Sequence, residues 1–222
     1  MKMSMWRTTL VAALMTVTTA VQAGVVVGGT RLVYDGKKKE SSLNLRNPDK
    51  IAYLIQSWVD MPEGAAGRAP FVITPPLFRL DAKQNNILRV VRAGGTLPAD
   101  RESLFWLNVK AIPSAEKKEN TLQIAIKTRI KLIFRPSGVQ GTPEAAAQQL
   151  KWQRSGNRLQ VSNPTPFYLT FFSVKVNGVE VKDTNMVAPF ATESFPAPAG
   201  NAISWSIIND FGGASKEFSG SV

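Results

Sequence analysis

The chain contains no cysteine and no histidine among its 222 residues. Without cysteine there is no disulfide, no thiol nucleophile and no thiolate metal site. Without histidine there is no serine–histidine–aspartate triad and no imidazole metal ligand. A hydrolase built on two carboxylates needs only Asp or Glu, but no acidic pair stands out in this sequence. We therefore expect a protein that is not an enzyme and that binds no cofactor and no metal.

Long apolar runs are also missing, since no stretch beyond the N-terminal segment approaches the roughly 18 residues of a transmembrane helix. The N-terminal segment itself has cationic Lys2 and Arg7, an apolar centre at residues 10–17 and a small-residue exit. This layout is typical of a secretory signal peptide. We interpret residues 1–23 as that signal and expect an exported chain from Gly24 without an integral membrane segment.

Acidic residues are scarce, because 16 Asp and Glu stand against 27 Lys and Arg, which gives a formal net charge of +11. Basic chains attract nucleic acid, anionic lipid or acidic protein surfaces. The cations are spread through the sequence rather than gathered into one arm, and export makes nucleic acid the least expected of these partners. We expect no nucleic-acid partner, and a solvated cationic surface is the simplest interpretation.

Most of the chain consists of short runs rich in β-branched and aromatic residues, such as VVVGGTRLVYDG and AYLIQSWVDMPEG, which end in turn residues. Runs at this spacing without helical periodicity indicate an antiparallel sandwich or barrel. The Pro- and Gly-rich segment RPSGVQGTP, residues 135–143, reads as a linker. We therefore predict two β domains, residues 24–137 and 138–222, with a cleft between them where ligands often bind.

Two local features of the second half can be predicted from its residues. Asn177 and Gly178 join two alternating runs, which is typical of a type I′ hairpin. The segment EAAAQQL, residues 144–150, can form one or two helical turns. In the first half, Thr74-Pro75-Pro76 allows a cis peptide bond in a tight turn, which the sequence leaves open.

The segment TLQIAIKTRIKLIF, residues 121–134, alternates strictly over fourteen residues, with only Ile133 breaking the polar side. The apolar side consists of Leu122, Ile124, Ile126, Ile130, Leu132 and Phe134. A strand of this length would reach about 46 Å, whereas ordinary strands span about 17 to 20 Å. By their pattern alone, all six side chains could belong to the core of this chain, or the surplus half could pack against another protein.

The stretch LPADRESLFWLNVKAIPS, residues 97–114, resembles over its whole length the signature of the PapD-like periplasmic pilus chaperones, and within them the type 1 pilus chaperones. The likeness continues through GGTRLVYDG, YLIQSWV, ITPPLFRL, TLQIAIKTRIKLIFRP, NPTPFYLT and INDFGG. It implies an all-β fold of two immunoglobulin-like sandwiches arranged as a boomerang. It also implies a periplasmic chaperone whose partners are pilin subunits, the tip adhesin and an outer-membrane usher.

The resemblance gives the long strand a role. In the family, the start of this strand is lent to an incomplete pilin by donor-strand complementation, a form of β-augmentation. Leu122, Ile124 and Ile126 would then be the side chains that enter the pilin groove, while Leu132 and Phe134 would stay in the chaperone's own core.

The resemblance also assigns charged residues. Arg31 and Lys131 correspond to two cleft cations that hold the C-terminal carboxylate of the bound pilin, a role that suits a guanidinium and an ammonium. Lys131 has the opposite parity to the donor side chains, so twist, a bulge or an approach from the other face must bring it to the cleft. Three further residues match an ion triad between the domains, to which we assign a structural role: Glu102, Arg135 and Asp210.

The segment SAEKKEN, residues 114–120, is charged and without large apolar side chains, which predicts a short flexible loop before the donor segment. A structural pilin or adhesin subunit is the alternative function, since it would also be exported and built from β-sandwiches, but the two-domain layout and the 97–114 signature favour the chaperone.

Overall fold

The computed structural model of the protein describes residues 24–114 and 122–222. The predicted signal peptide, and residues 115–120 of the predicted loop, lie outside this part of the chain. Within it the first nine strands are β1 (Val26–Val27), β2 (Arg31–Asp35), β3 (Glu40–Arg46), β4 (Tyr53–Asp60), β5 (Phe71–Thr74), β6 (Leu77–Leu80), β7 (Asn85–Arg92), β8 (Ser103–Pro113) and β9 (Ile126–Arg135).

A short helix and eight further strands follow β9 in the second half of the chain. They are α1 (Pro143–Ala147), β10 (Lys151–Ser155), β11 (Arg158–Ser162), β12 (Leu169–Val176), β13 (Val179–Glu180), β14 (Met186–Val187), β15 (Thr192–Pro196), β16 (Ala202–Ile207) and β17 (Phe218–Ser221).

The first domain packs a sheet of order β1-β3-β7-β5 against a sheet of order β2-β9-β8-β4-β6. Its core contains an aromatic group in which the ring centroids of Tyr34 and Phe71 are 5.4 Å apart and those of Phe71 and Phe105 5.0 Å apart. Leu88, Leu107 and Leu132 are fully buried beside them. The alternation of these strands therefore separates a packed inner face from an outer face, as two-sheet packing requires.

The second domain has a three-stranded sheet, β10-β11-β15, and a sheet of order β13-β12-β16-β17 to which β14 adds by pairing with β12. Trp152 lies 5.4 Å from Trp205 between ring centroids, inside a separate buried cluster. Each domain thus has its own hydrophobic core. The predicted all-β fold of two immunoglobulin-like sandwiches is confirmed.

The turn chemistry read from the sequence recurs in the structure. Asn177 and Gly178 both have positive φ, 48° and 80°, as a type I′ turn between β12 and β13 requires. The side chain of Thr142 accepts a hydrogen bond from the backbone N–H of Ala145 at 3.2 Å and so caps α1. The Thr74–Pro75 peptide bond, which the sequence left open, is cis.

The predicted fourteen-residue strand is shorter in the structure, where β9 begins at Ile126 and has 10 residues. Residues 122–125 are described but belong to no strand. The pairing of β9 with β8 ends at Ile126 and Ala111, and β2 pairs only with residues 131–135. Both ladders of β9 therefore stop short of residues 122–125, and strand structure depends on such pairing.

Candidate binding site at the domain junction

The outer face of the β2-β9-β8 sheet is turned towards the second domain. Arg31 and Lys131 stand opposite each other in the parallel β2–β9 ladder. The ammonium of Lys131 donates to the hydroxyl of Thr170 on β12 at 3.1 Å, and the guanidinium of Arg31 donates to the carbonyl oxygen of Ile208 at 3.0 Å. Arg31 and Lys131 of the first domain are therefore both held by acceptors of the second domain.

These contacts show how Lys131 reaches the cleft although its parity is opposite to that of the donor side chains. Leu132 is fully buried in the first core, and its neighbour Lys131 points to the opposite face of the same strand. The register between β8 and β9 runs without interruption, so no bulge is involved. Lys131 thus reaches the junction from the outer face, which was one of the three possibilities that the sequence left open.

The two cations, buried Arg31 and half-buried Lys131, form a pair with unused binding capacity. Arg31 is only 8% exposed, and its Nε has no hydrogen-bond partner. Burial lowers the pKa of Arg31, although Asp210 and Glu102 partly oppose the shift. Burial, together with the charge of Arg31, lowers the pKa of Lys131 to about 8. A carboxylate beside this pair would offset the repulsion and fill the open donors.

Next to the pair, the structure brings Glu102, Arg135 and Asp210 together. Arg135 donates through Nε to Glu102 Oε1 at 2.7 Å, and its two terminal nitrogens donate to the carboxylate of Asp210 at 2.7 and 2.8 Å. Glu102 Oε2 accepts from the backbone N–H of Tyr168 at 2.7 Å. Burial raises the pKa of Glu102, which Arg135 partly counters. For Arg135, the bonds and charges of the two acids outweigh burial and raise its pKa.

A tight loop after β16 holds Asp210 in place. The side-chain oxygen of Asn209 accepts from the backbone N–H groups of Phe211 and Gly213, both at 3.0 Å. Gly212 has a φ of +86°, and a Cβ there would lie 2.4 Å from the hydroxyl oxygen of Thr30 in the first domain. Gly212, the first glycine of INDFGG, therefore lets the loop approach the first domain closely. The motif alone did not indicate this contact.

The predicted donor residues lie beside an open strand edge. Leu122, Ile124 and Ile126 are 83%, 65% and 43% exposed. In the part of the chain that the structure describes, β2 covers only residues 131–135 of β9, so residues 126–130 have β8 on one side and no strand on the other. An apolar row next to an open edge is a template for β-augmentation.

The sequence does not predict two apolar residues of the junction, Ile133 and Leu104. In the sequence, Ile133 is only an irregularity of the alternation, and Leu104 has no distinguishing feature. They are 2% and 5% exposed, stand opposite each other on the outer face, and belong to neither core. They mark the apolar part of the outer face beside the second domain. The broken alternation at Ile133 was the signal for this interface.

Comparison with known proteins assigns the chain to a family. Residues 24–140 match the N-terminal domain described as "Pili and flagellar-assembly chaperone, PapD N-terminal domain", and residues 145–219 match "Pili assembly chaperone PapD, C-terminal domain". The chain belongs to the PapD pilus chaperone family. This confirms the resemblance read from the sequence.

Individual members of the PapD chaperone family are similar over most of their length. The probable fimbrial chaperone LpfB of Escherichia coli O157:H7 is 47% identical over 197 residues, 85% of this chain and 84% of LpfB. The chaperone FimC of Escherichia coli K12 is 44% identical over 207 residues, 90% of this chain and 85% of FimC. A chain of the Salmonella enterica SafA pilin–SafB chaperone complex superposes with a TM-score of 0.85 at 40% identity, covering 92% of this chain and 99% of that one.

The two family matches favour a chaperone over the alternative of a structural pilin or adhesin subunit. Both matched domains are described as those of pilus chaperones, and neither is described as a pilin or adhesin. Within the residues that the structure describes, no helix has the length and apolar character to cross a bilayer.

Proposed function

We propose that this member of the PapD family is a non-enzymatic periplasmic chaperone that caps pilin subunits, the tip adhesin among them, by donor-strand complementation. It then delivers them to an outer-membrane usher for pilus assembly. One of the similar solved structures is a chain of a complex between the SafA pilin and the SafB chaperone. The signal-like layout of residues 1–23 supports export to the periplasm.

The observation that carries the proposal is the exposed apolar row beside the open edge of β9. Large aliphatic side chains at 65% and 83% exposure are costly on a free protein, since full burial of each is worth roughly 1.5 to 3 kcal/mol. A pilin strand paired with residues 126–130 would satisfy the backbone edge, and its groove would bury Leu122, Ile124 and Ile126.

The cation pair completes the site. The C-terminal carboxylate of a pilin strand that runs along the edge of β9 would accept from Arg31 and Lys131, where the first residue of β2 stands opposite Lys131. A fixed end also sets the register of the added strand, and a slip of one residue would turn every side chain to the wrong face. The triad of Glu102, Arg135 and Asp210 would hold the two domains in the geometry that this clamp needs.

The clamp is tested by a double-mutant cycle. Pilin that co-purifies from periplasm with the chaperone is identified first, and its C-terminal peptide is made as a carboxylate and as an amide. Arg31→Ala and Lys131→Ala should each weaken binding of the carboxylate peptide by about 1.5 to 3 kcal/mol. The double variant should lose less than the sum, because both cations act on one anion.

The amide form is the control for this cycle, since it should bind the unaltered chaperone weakly and be indifferent to either substitution. Arg158→Ala, which removes an exposed cation at the start of β11 in the second domain, serves as the matched cation control and should leave both affinities unchanged. Equal affinity of the unaltered chaperone for carboxylate and amide would refute the clamp.

A further inference from the structure

We propose that capture of the pilin carboxylate is coupled to protonation of Lys131, with an uptake that approaches one proton at alkaline pH, so that acidity regulates how firmly the cleft holds its subunit. This inference rests on the proposed function, because it concerns the same cation pair. In the coupled step, neutral Lys131 takes a proton from a hydronium ion or a buffer acid, and the resulting ammonium pairs with the incoming carboxylate. The N–H bond forms as the donor's bond to that proton breaks, and water or the conjugate base of the buffer remains in solvent.

The geometry places two like charges side by side before any ligand binds. Arg31 and Lys131 are direct partners in a parallel ladder, so both side chains leave the same face of the sheet. Each is held by a neutral acceptor of the second domain, the Ile208 carbonyl for Arg31 and the Thr170 hydroxyl for Lys131. Neither acceptor supplies the negative charge that would offset the pair.

The other charged groups around Lys131 are engaged elsewhere. On β9 the guanidinium of Arg129 lies over the Trp106 ring at 4.4 Å, and Arg135 is taken up by two acids. Trp106 is the partner of Lys131 on β8, and beyond it on β4 the carboxylate of Asp60 accepts from the Asn108 amide at 3.0 Å. None of these neighbouring charges is therefore paired with Lys131, whose partner on β2 is the cation Arg31.

The acids of the triad act mainly on the other members of the junction. Glu102 and Asp210 both bind Arg135, and through space they favour the charged form of Arg31. For Lys131, burial comes first and the charge of Arg31 second, and together they lower its pKa to about 8. Arg31 therefore stays protonated, and Lys131 is the member of the pair that titrates near neutral pH.

The sign of the coupling follows from these groups. A bound carboxylate favours the ammonium and returns the pKa of Lys131 towards its ordinary value of 10.5. Binding then takes up about 0.9 proton at pH 9 but only about 0.1 at pH 7, because Lys131 is already mostly charged at the lower pH. The affinity for the carboxylate should accordingly fall by about tenfold from pH 7 to pH 9.

Calorimetry with the acetylated carboxylate peptide of the pilin, at pH 7, 8 and 9 in buffers of different ionisation enthalpy, tests the coupling. We expect the tenfold loss of affinity and a proton uptake that rises with pH. Lys131→Arg is the decisive variant, since it keeps the charge but cannot titrate in this range. It should still prefer the carboxylate to the amide, with an affinity that is flat between pH 7 and pH 9.

The outcomes separate the two proposals. A preference for carboxylate that does not change with pH in the unaltered protein would overturn the proton coupling and leave the clamp intact. Equal binding of carboxylate and amide would overturn the clamp itself. In the free protein, NMR of the Lys131 side chain should show a titration midpoint near 8, and an ordinary lysine midpoint would also refute the coupling.

Discussion

Replacing Arg135 by methionine is expected to lower the free energy of unfolding by about 3 to 5 kcal/mol, the range for breaking a buried ion pair from one side. The carboxylate of Glu102 has a side-chain exposure of 1% and has two partners, the Arg135 guanidinium and the Tyr168 backbone N–H. Without Arg135 it would be a buried charge with one neutral donor. The midpoint of chemical unfolding, followed by tryptophan fluorescence, measures the loss.

A second change distinguishes loss of charge balance from loss of packing. Arg135 also lies over the Phe167 ring at 5.0 Å, so methionine removes a contact as well as a charge. Combining Arg135→Met with Glu102→Gln removes both charges, and the pair should cost clearly less than the sum of the single changes. Additive costs would show that the two side chains do not depend on each other.

Arg129→Met is the matched control for this prediction. Arg129 lies on the same strand and face, but it is exposed and rests on Trp106. A surface change of this kind should alter stability by about 0.5 kcal/mol or less. If Arg135→Met were as mild as this control, the triad would have no role in holding the junction.

The triad also links the architecture to the proposed clamp. Arg135 and Lys131 leave the same face of β9, and the loop that carries Asp210 begins one residue after Ile208, whose carbonyl holds Arg31. We therefore expect Arg135→Met to weaken carboxylate binding even in molecules that remain folded, because the acceptors of the second domain would no longer be held at one distance from the cations.

The sequence predicted the parts of the fold that depend on local pattern. Period-2 alternation identified the sheet faces, and Asn177-Gly178 identified the hairpin, because both are decided by residues adjacent in the chain. The length of β9 was overestimated for the opposite reason. Residues 122–125 have the alternation of a strand but belong to none in the structure, because alternation is local whereas strand pairing depends on where distant strands lie, and the β8–β9 ladder ends at Ile126.

The site shows the same division. Resemblance assigns Arg31, Lys131 and the triad, whereas their contacts cannot be read from the sequence, because they depend on acceptors 33 to 177 residues away. Parity did predict that Lys131 faces away from the core. Which groups meet it there depends on how the second domain docks, and the Thr170 hydroxyl has no distinguishing signal in the sequence.

The largest effect on capture is expected from Ile124→Glu, which should abolish co-purification of pilin while leaving the chaperone folded. The side chain is 65% exposed, so glutamate costs little in the free protein. In the complex the same position would enter the apolar pilin groove, and an unpaired carboxylate there is penalised by several kcal/mol. Co-purification from periplasm, with thermal unfolding of each variant, measures both halves of the prediction.

Two control variants make this prediction specific, one at an exposed position in the other domain and one at a buried position in the same row. Val179→Glu places the same charge on a 57% exposed aliphatic position of β13 in the second domain, and it should leave both capture and stability unchanged. Ile130→Glu places it in the same row of β9, where the side chain is 6% exposed inside the core, and it should unfold the first domain. Normal capture by Ile124→Glu would show that the row is not lent to the pilin, whereas unfolding would show that Ile124 belongs to the core despite its exposure. The expected results would place the boundary between lent and retained side chains between Ile124 and Ile130, just before the residues of β9 that pair with β2.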